Sequence, residues 1–213
     1  MPKRILCCFV VLTALYGILP CHACAIETSA ASAILVDVNS GRVLYEQNAD
    51  AKMLIASTTK IMTALVAIRE GNLGDVVTVS REATLTEGSS MYLKEGEQLT
   101  LEALLYGLML SSGNDAEVAI AGHVGGSQAE FVTLMNETAR DLGMERSSFA
   151  NPNGLDHEQH YSTARDMACL ACEAIQNETL MRIASTRTVT IGGRTMTNHN
   201  KLLAYMDGCI GLK

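Results

Sequence analysis

The chain has 213 residues, 48% of them hydrophobic and 18% charged, with a formal net charge of −7. That length suits one domain with a sizeable core, and the composition excludes a disordered or coiled-coil class. The acidic balance excludes a nucleic-acid partner held on a basic face.

The first predicted element is a targeting segment. Lys3 and Arg4 precede an apolar run over residues 5–19, and Ala23-Cys24-Ala25 places small residues at the cleavage spacing. Cleavage is expected between Ala25 and Ile26, which leaves residues 26–213 as an exported domain. The apolar run is shorter than the ~20 residues of a membrane-spanning helix, and no run of small apolar residues before Cys21 or Cys24 marks a lipidation site. Loss of residues 1–25 removes two of the 16 basic residues and none of the 23 acidic ones, taking the net charge from −7 to −9. It also removes Cys7, Cys8, Cys21 and Cys24. The odd remainder, Cys169, Cys172 and Cys209, implies no disulfide framework.

After the signal, "SAILVDVNSGRVLYEQN" reads as a hairpin turning at Asn39-Ser40-Gly41. An apolar helix is predicted over 57–68, and "VVTVS" at 76–80 is a strand candidate. "TLEALLYGLML" from Thr100 reads as a helix with a threonine cap that halts at Ser111-Ser112-Gly113-Asn114, where "DAEVAIAGHV" resumes a helical pattern. Ser127 with Glu130, and Thr163 with Asp166, form capping boxes for two further helices, separated by the turn-rich "NPNGLD" at 151–156. "RTVTIGGRTMT" is a second hairpin around Gly192-Gly193, and "CIGLK" opens another strand. Strands at both ends with helices between them predict an α+β fold, with one antiparallel sheet built from the two ends and covered by a helical layer.

The stretch "IASTTKIM", residues 55–62, puts three hydroxyls and a lysine at the head of an apolar helix. Ser57 and Lys60 sit three residues apart on one face, within reach of each other. Burial disfavours the ammonium, so the amine can accept a hydroxyl proton, while the backbone N–H groups at the helix start can stabilise an oxyanion. Alone, that spacing is usually a helix cap followed by a surface lysine. Ser112-Gly113-Asn114 adds a second hydroxyl and an amide on a rigid helix junction, suited to proton relay and to bonding a peptide group.

Together these residues resemble the serine D-Ala-D-Ala carboxypeptidases, the low-molecular-mass penicillin-binding proteins that share a fold with serine β-lactamases. Ser57-Thr58-Thr59-Lys60 matches the first motif of that family and Ser112-Gly113-Asn114 the second. "ILVDVNSGRVLYEQNADAKM", "EGSSMYLKEGE", "FANPNGLD", "HYSTARDMA" and "TNHNKLL" extend the likeness over residues 30–213. The resemblance implies that Ser57 is the acylated nucleophile, Lys60 its base and Ser112 the proton shuttle, with Asn114 orienting the substrate. Lys213 falls where the family's third motif, Lys-Thr-Gly, begins, and would meet the substrate's terminal carboxylate. The substrate implied is a peptidoglycan stem peptide ending in D-Ala-D-Ala, with β-lactams as inhibitors and no metal or organic cofactor. The Thr and Gly of the third motif and the strands that follow it do not occur, so the catalytic domain is expected to be incomplete at its C-terminal end, with any membrane anchor lying in the missing part. A β-lactamase-like hydrolase of the same fold and an inactive fragment are the nearest alternatives.

Three other patterns compete. Gly125-Gly126-Ser127-Gln128-Ala129 approaches a nucleophile elbow, with His157, His160 or His199 as base. His157 and His160 with Cys169 and Cys172 offer zinc ligand types, although both cysteines are expected to pack a helical core. Asn136-Glu137-Thr138 and Asn177-Glu178-Thr179 fit the glycosylation pattern and read as surface residues.

Overall fold

The helix that follows the Ser57 turn is mostly apolar, and the fold is built around it. In the computed structural model, which describes residues 28–213, this helix is α1 (Thr59–Glu70), buried without a break from Thr59 to Ala67. Over that stretch the helix has no solvent face and must be enclosed. It is enclosed by α3 (Leu101–Leu110), α4 (Asn114–Gly125), α5 (Gln128–Asp141), α6 (Ala164–Gln176) and α7 (Glu178–Ala184). Two single-turn helices, α2 (Arg81–Thr84) and α8 (Leu202–Tyr205), complete the set. Residues 31–213 form one unit. Among the described residues no helix is long and apolar enough to cross a membrane. The predicted signal segment, its four cysteines and the Ala25–Ile26 cleavage point lie outside the described residues.

The caps fall where the sequence placed them. Thr100, Ser127 and Thr163 accept the N–H groups of Ala103, Glu130 and Asp166 at 3.2, 3.1 and 3.1 Å. Asn177 caps α7 by accepting the Leu180 N–H at 2.9 Å. Helix α7 has no counterpart among the predicted elements, and the Asn-Glu-Thr stretch there is its cap. Asn136, expected on the surface, is half-buried: its amide donates to the carbonyls of Val132 and Phe149 and its Oδ1 accepts the Phe149 N–H. Cys169, expected in the core, faces solvent, because Leu170 and Ala174, four apart on α6, take the inward positions.

The strands form three antiparallel pairs: β1 (Ala33–Val36) with β2 (Val43–Gln47), β3 (Val76–Thr78) with β4 (Gln98–Thr100), and β5 (Thr188–Ile191) with β6 (Arg194–Thr197). β4 was not predicted. In the last hairpin Gly192 and Gly193 have φ of +57° and +71°, the pair of left-handed turn positions that a two-residue loop demands. The α+β class stands, with helices covering small antiparallel sheets. The single sheet joining the two ends is not formed among the described residues. Residues 209–213, expected to open a strand, carry none, since Gly211 at φ +123° turns the backbone out of the extended region.

Candidate active site

Ser57 lies in a 3₁₀ turn, Ala56–Thr58, that feeds directly into α1. Ala56 holds φ at +44°, a left-handed conformation costly for a residue with a Cβ and found where the surroundings over-determine it. The surroundings here are the 151–154 loop. Gly154 has φ +88°, and a Cβ at that position would lie 1.9 Å from the Ala56 carbonyl oxygen. Only glycine allows the loop to press so closely on the Ser57 turn. Asn151 fixes the loop internally by accepting the N–H groups of Gly154 and Leu155 at 2.8 and 3.1 Å.

The same loop holds the lysine. Lys60 is 1% exposed, and its Nζ donates to the Asn153 carbonyl at 2.8 Å. One turn on, Thr63 Oγ1 donates to the Pro152 carbonyl at 2.6 Å. Burial brings the Lys60 ammonium from its ordinary 10.5 down to about 8, with Glu117 opposing the shift. Lys60 makes no hydrogen bond to the Ser57 hydroxyl; its ammonium is drawn toward the loop. Such bonds often tighten only when substrate is bound.

His160 braces the turn from below. The Ala150 N–H donates to its Nδ1 at 3.1 Å, so the neutral ring carries its proton on Nε2 and donates it to Thr59 Oγ1 at 2.8 Å. With both nitrogens engaged, the ring edge-on to Phe149 at 5.7 Å, and burial holding its pKa below the usual value, His160 is a structural bracket. Among the described residues no group of three or more His, Cys, Asp or Glu side chains is placed to hold a metal. Ser127, the rival nucleophile, sits between α4 and α5 with no strand before it.

Across from Ser57, α3 ends and α4 begins. Ser112 occupies this junction with φ +57°, a second left-handed residue at the same site. Asp115, 2% exposed, holds the junction to the 90–93 loop. Its Oδ1 accepts the N–H groups of Met91 (3.0 Å) and Ala116 (2.9 Å), and its Oδ2 accepts Ser90 Oγ (2.6 Å) and the Leu93 N–H (3.0 Å). Asp115→Asn turns an acceptor into a donor facing these donors, so chemical denaturation should show a loss of about 2 kcal/mol or more.

Ser57, Ser112, His199 and Lys213 line one cleft of about 640 Å³. It shares Ser89, Asn198, His199 and Lys201 with an adjoining cavity of about 820 Å³. Lys213 donates to the last-turn carbonyls of α3, Leu108 and Met109, at 3.1 and 2.9 Å. Burial, with the Lys60 charge behind it, lowers Lys213 to about 7. The predicted residues therefore gather as three groups on the cleft, Ser57, Ser112 and Lys213, and one beneath it, Lys60. Asn114 does not line the cleft: its Nδ2 donates to the Glu87 carbonyl at 2.6 Å and its N–H to the Ser89 carbonyl at 2.7 Å.

Two clustered hydroxyls, a buried amine and a second cation are a set suited to acyl transfer. The family described as D-alanyl-D-alanine carboxypeptidase, peptidase S11, matches residues 20–213. The chain belongs to this family. It is 38% identical over 194 residues to the D-alanyl-D-alanine carboxypeptidase DacF of Bacillus subtilis, covering 86% of this chain and 50% of that protein. It is 41% identical over 191 residues to DacA of Escherichia coli K12, covering 83% and 47%. The chain thus spans about half the length of these S11 relatives. Among solved structures, a mutant of the Streptomyces K15 DD-transpeptidase superposes with a TM-score of 0.84 at 31% identity, covering 88% of this chain and 81% of that one. Penicillin-binding protein 6B of Escherichia coli gives 0.82 at 33% identity, covering 91% and 65%.

Two buried acidic residues behind the cleft escaped the motifs. Asp115 and Glu117 stand in "DAEVAIA", an otherwise apolar stretch. The signal that singled out Lys60, a charge inside an apolar helix, was present there too.

Proposed function

We propose that this protein is a serine DD-carboxypeptidase that removes the terminal D-alanine from peptidoglycan stem peptides through an acyl-enzyme on Ser57, outside the cytoplasm after loss of its signal segment. The observation that carries this reading is the Ser57 hydroxyl, opening on a cleft shared with Ser112, above a lysine whose burial favours the free amine.

Ser57 Oγ attacks the carbonyl carbon of the scissile D-Ala-D-Ala bond as its proton passes to Lys60 Nζ. The C–N bond then breaks, and the leaving amine takes a proton relayed by Ser112. Water hydrolyses the resulting ester, regenerating the Ser57 hydroxyl. Lys213 meets the substrate's terminal carboxylate, whose negative charge favours the ammonium form of the lysine when substrate is bound. Asn114 acts from behind the cleft, where its amide and backbone N–H hold the Glu87 and Ser89 carbonyls and so fix the cleft wall against which the peptide group is oriented. Penicillin enters as a mimic of the same carbonyl and leaves Ser57 acylated.

The test is to incubate the full chain with a peptide ending in D-Ala-D-Ala and, separately, with penicillin. Release of free D-alanine together with long-lived labelling of Ser57 supports the reading. Rapid turnover of penicillin with no D-alanine release would make the protein a β-lactamase instead, and labelling at another residue would remove Ser57 from its role.

A further inference from the structure

Lys60 is not the sole ionisable group enclosed behind the nucleophile's turn. Glu117, on the face of α4 that packs against α1, is 0% exposed, and neither of its carboxylate oxygens has a hydrogen-bond partner. Its helix neighbours Ala116, Val118, Ala119, Ile120 and Ala121 are buried and apolar, so it interrupts the apolar pattern of α4 as Lys60 interrupts that of α1. An enclosed carboxylate with no hydrogen bond is strongly disfavoured. A carboxyl in such a place holds its proton, or shares it with a base.

The groups that face it are Lys60 from α1, the Asn153 side chain from the 151–154 loop and, from the outer side, Glu82 on α2. Lys213, on the cleft side, in turn feels the charge of Lys60. The Asn153 side chain bonds neither oxygen, yet it faces the carboxyl and, like Lys60, favours its charged form. Burial raises the Glu117 carboxyl to about 8, with Lys60 opposing, and the same burial lowers Lys60 to about 8, with Glu117 opposing. Two coupled groups in one pH range titrate as a unit. When the pair holds one proton, burial favours the uncharged arrangement, a carboxyl with a free amine, over a carboxylate with an ammonium.

We propose that Glu117 is a positioning residue for the lysine base, sharing a proton with Lys60 inside the core and setting the pH range in which Lys60 presents a free amine to Ser57. This rests on the role proposed above for Lys60. When Lys60 takes the Ser57 proton, Glu117 is the acidic group facing the new ammonium from the core side. Its carboxylate form favours that ammonium, and its carboxyl form favours the amine.

The experiment follows Lys60 directly, by the NMR shift of its 13Cε in the labelled full chain, with Lys60→Met supplying the assignment. In the wild type the Lys60 signal should titrate in two coupled steps. In Glu117→Gln it should titrate in one, with the midpoint lower by about one pH unit or more, a tenfold change in proton concentration. An unmoved midpoint overturns the proposal. Should Glu117→Gln fail to fold, the Glu117 13Cδ signal carries the test: its midpoint should lie far above the ordinary ~4.3 of a glutamate and rise further in Lys60→Met. A midpoint in the ordinary range, or one insensitive to Lys60→Met, also overturns it. Neither measurement needs acylation, so a chain in which Ser57 takes no penicillin would refute the proposed function while the titration still decides the role of Glu117.

Discussion

Ser57→Ala should abolish covalent labelling by a fluorescent penicillin while leaving thermal unfolding nearly unchanged. The serine is half-buried and its hydroxyl makes no hydrogen bond among the described residues, so truncating it removes little folding energy, within about 0.5 kcal/mol for a change of this kind. Lys60→Arg should lose labelling by ~10²–10⁴, the usual contribution of a positioned base, because a guanidinium stays charged and cannot accept the Ser57 proton. The arginine also needs more room than a side chain 1% exposed is given, so Lys60→Met, which keeps the apolar stem, separates loss of the base from loss of packing. The pH dependence has a definite sign. The Lys60 pKa is lowered from 10.5 to about 8, so the amine fraction, and with it the labelling rate, should climb as pH rises through about 8. The same depression means that folding disfavours the Lys60 charge, and stability from this group should be recovered as pH rises from about 8 towards 10.5. Persistent labelling of Ser57→Ala, or a rate independent of pH in that window, would exclude the Ser57–Lys60 pair as nucleophile and base.

How much of this was legible in the sequence depends on whether a feature is carried by local pattern or by contact between distant segments. The helix caps at Thr100, Ser127 and Thr163 and the Gly192-Gly193 turn were readable because their physics is confined to three or four neighbouring residues. Strand β4 was not, because its three residues gain their identity only by pairing with β3, some twenty positions earlier. At the site, Ser57 and Lys60 were legible as one spacing on one helix. What positions them was not: the Asn153 carbonyl that holds Lys60 lies 93 residues away in sequence, and His160, which braces Thr59, lies 101 away. His160 illustrates the limit well. Its residue type suggested a base or a zinc ligand, and only the Ala150 N–H on one nitrogen and Thr59 on the other reveal a bracket. Asn114 shows the opposite case, in which a motif position is recognised but its amide is occupied by the Glu87 carbonyl.

The loop contact that the sequence could not reveal supplies the second large expected effect. Gly154→Ala should lower the penicillin-labelling rate by ~10² or more and destabilise the fold, although Gly154 carries no chemistry. Two costs combine. At φ +88° an alanine is strained by about 1–2 kcal/mol. Its Cβ would also lie 1.9 Å from the Ala56 carbonyl oxygen and 3.0 Å from Thr59 Oγ1, so the backbone on one side must withdraw by more than an ångström. Either movement reaches the chemistry, because Ala56 precedes Ser57 and the Asn153 carbonyl that holds Lys60 precedes Gly154. Misplacing reacting groups by about 1 Å typically costs ~10² in rate. Gly143→Ala isolates the conformational part: its φ of +72° is similar, but a Cβ there meets nothing within 4 Å. That control should lose only about 1–2 kcal/mol of stability and keep the wild-type labelling rate. If Gly154→Ala labels as fast as Gly143→Ala, the loop does not set the geometry of Ser57 and Lys60, and the close approach at Ala56 is a packing detail without bearing on the site.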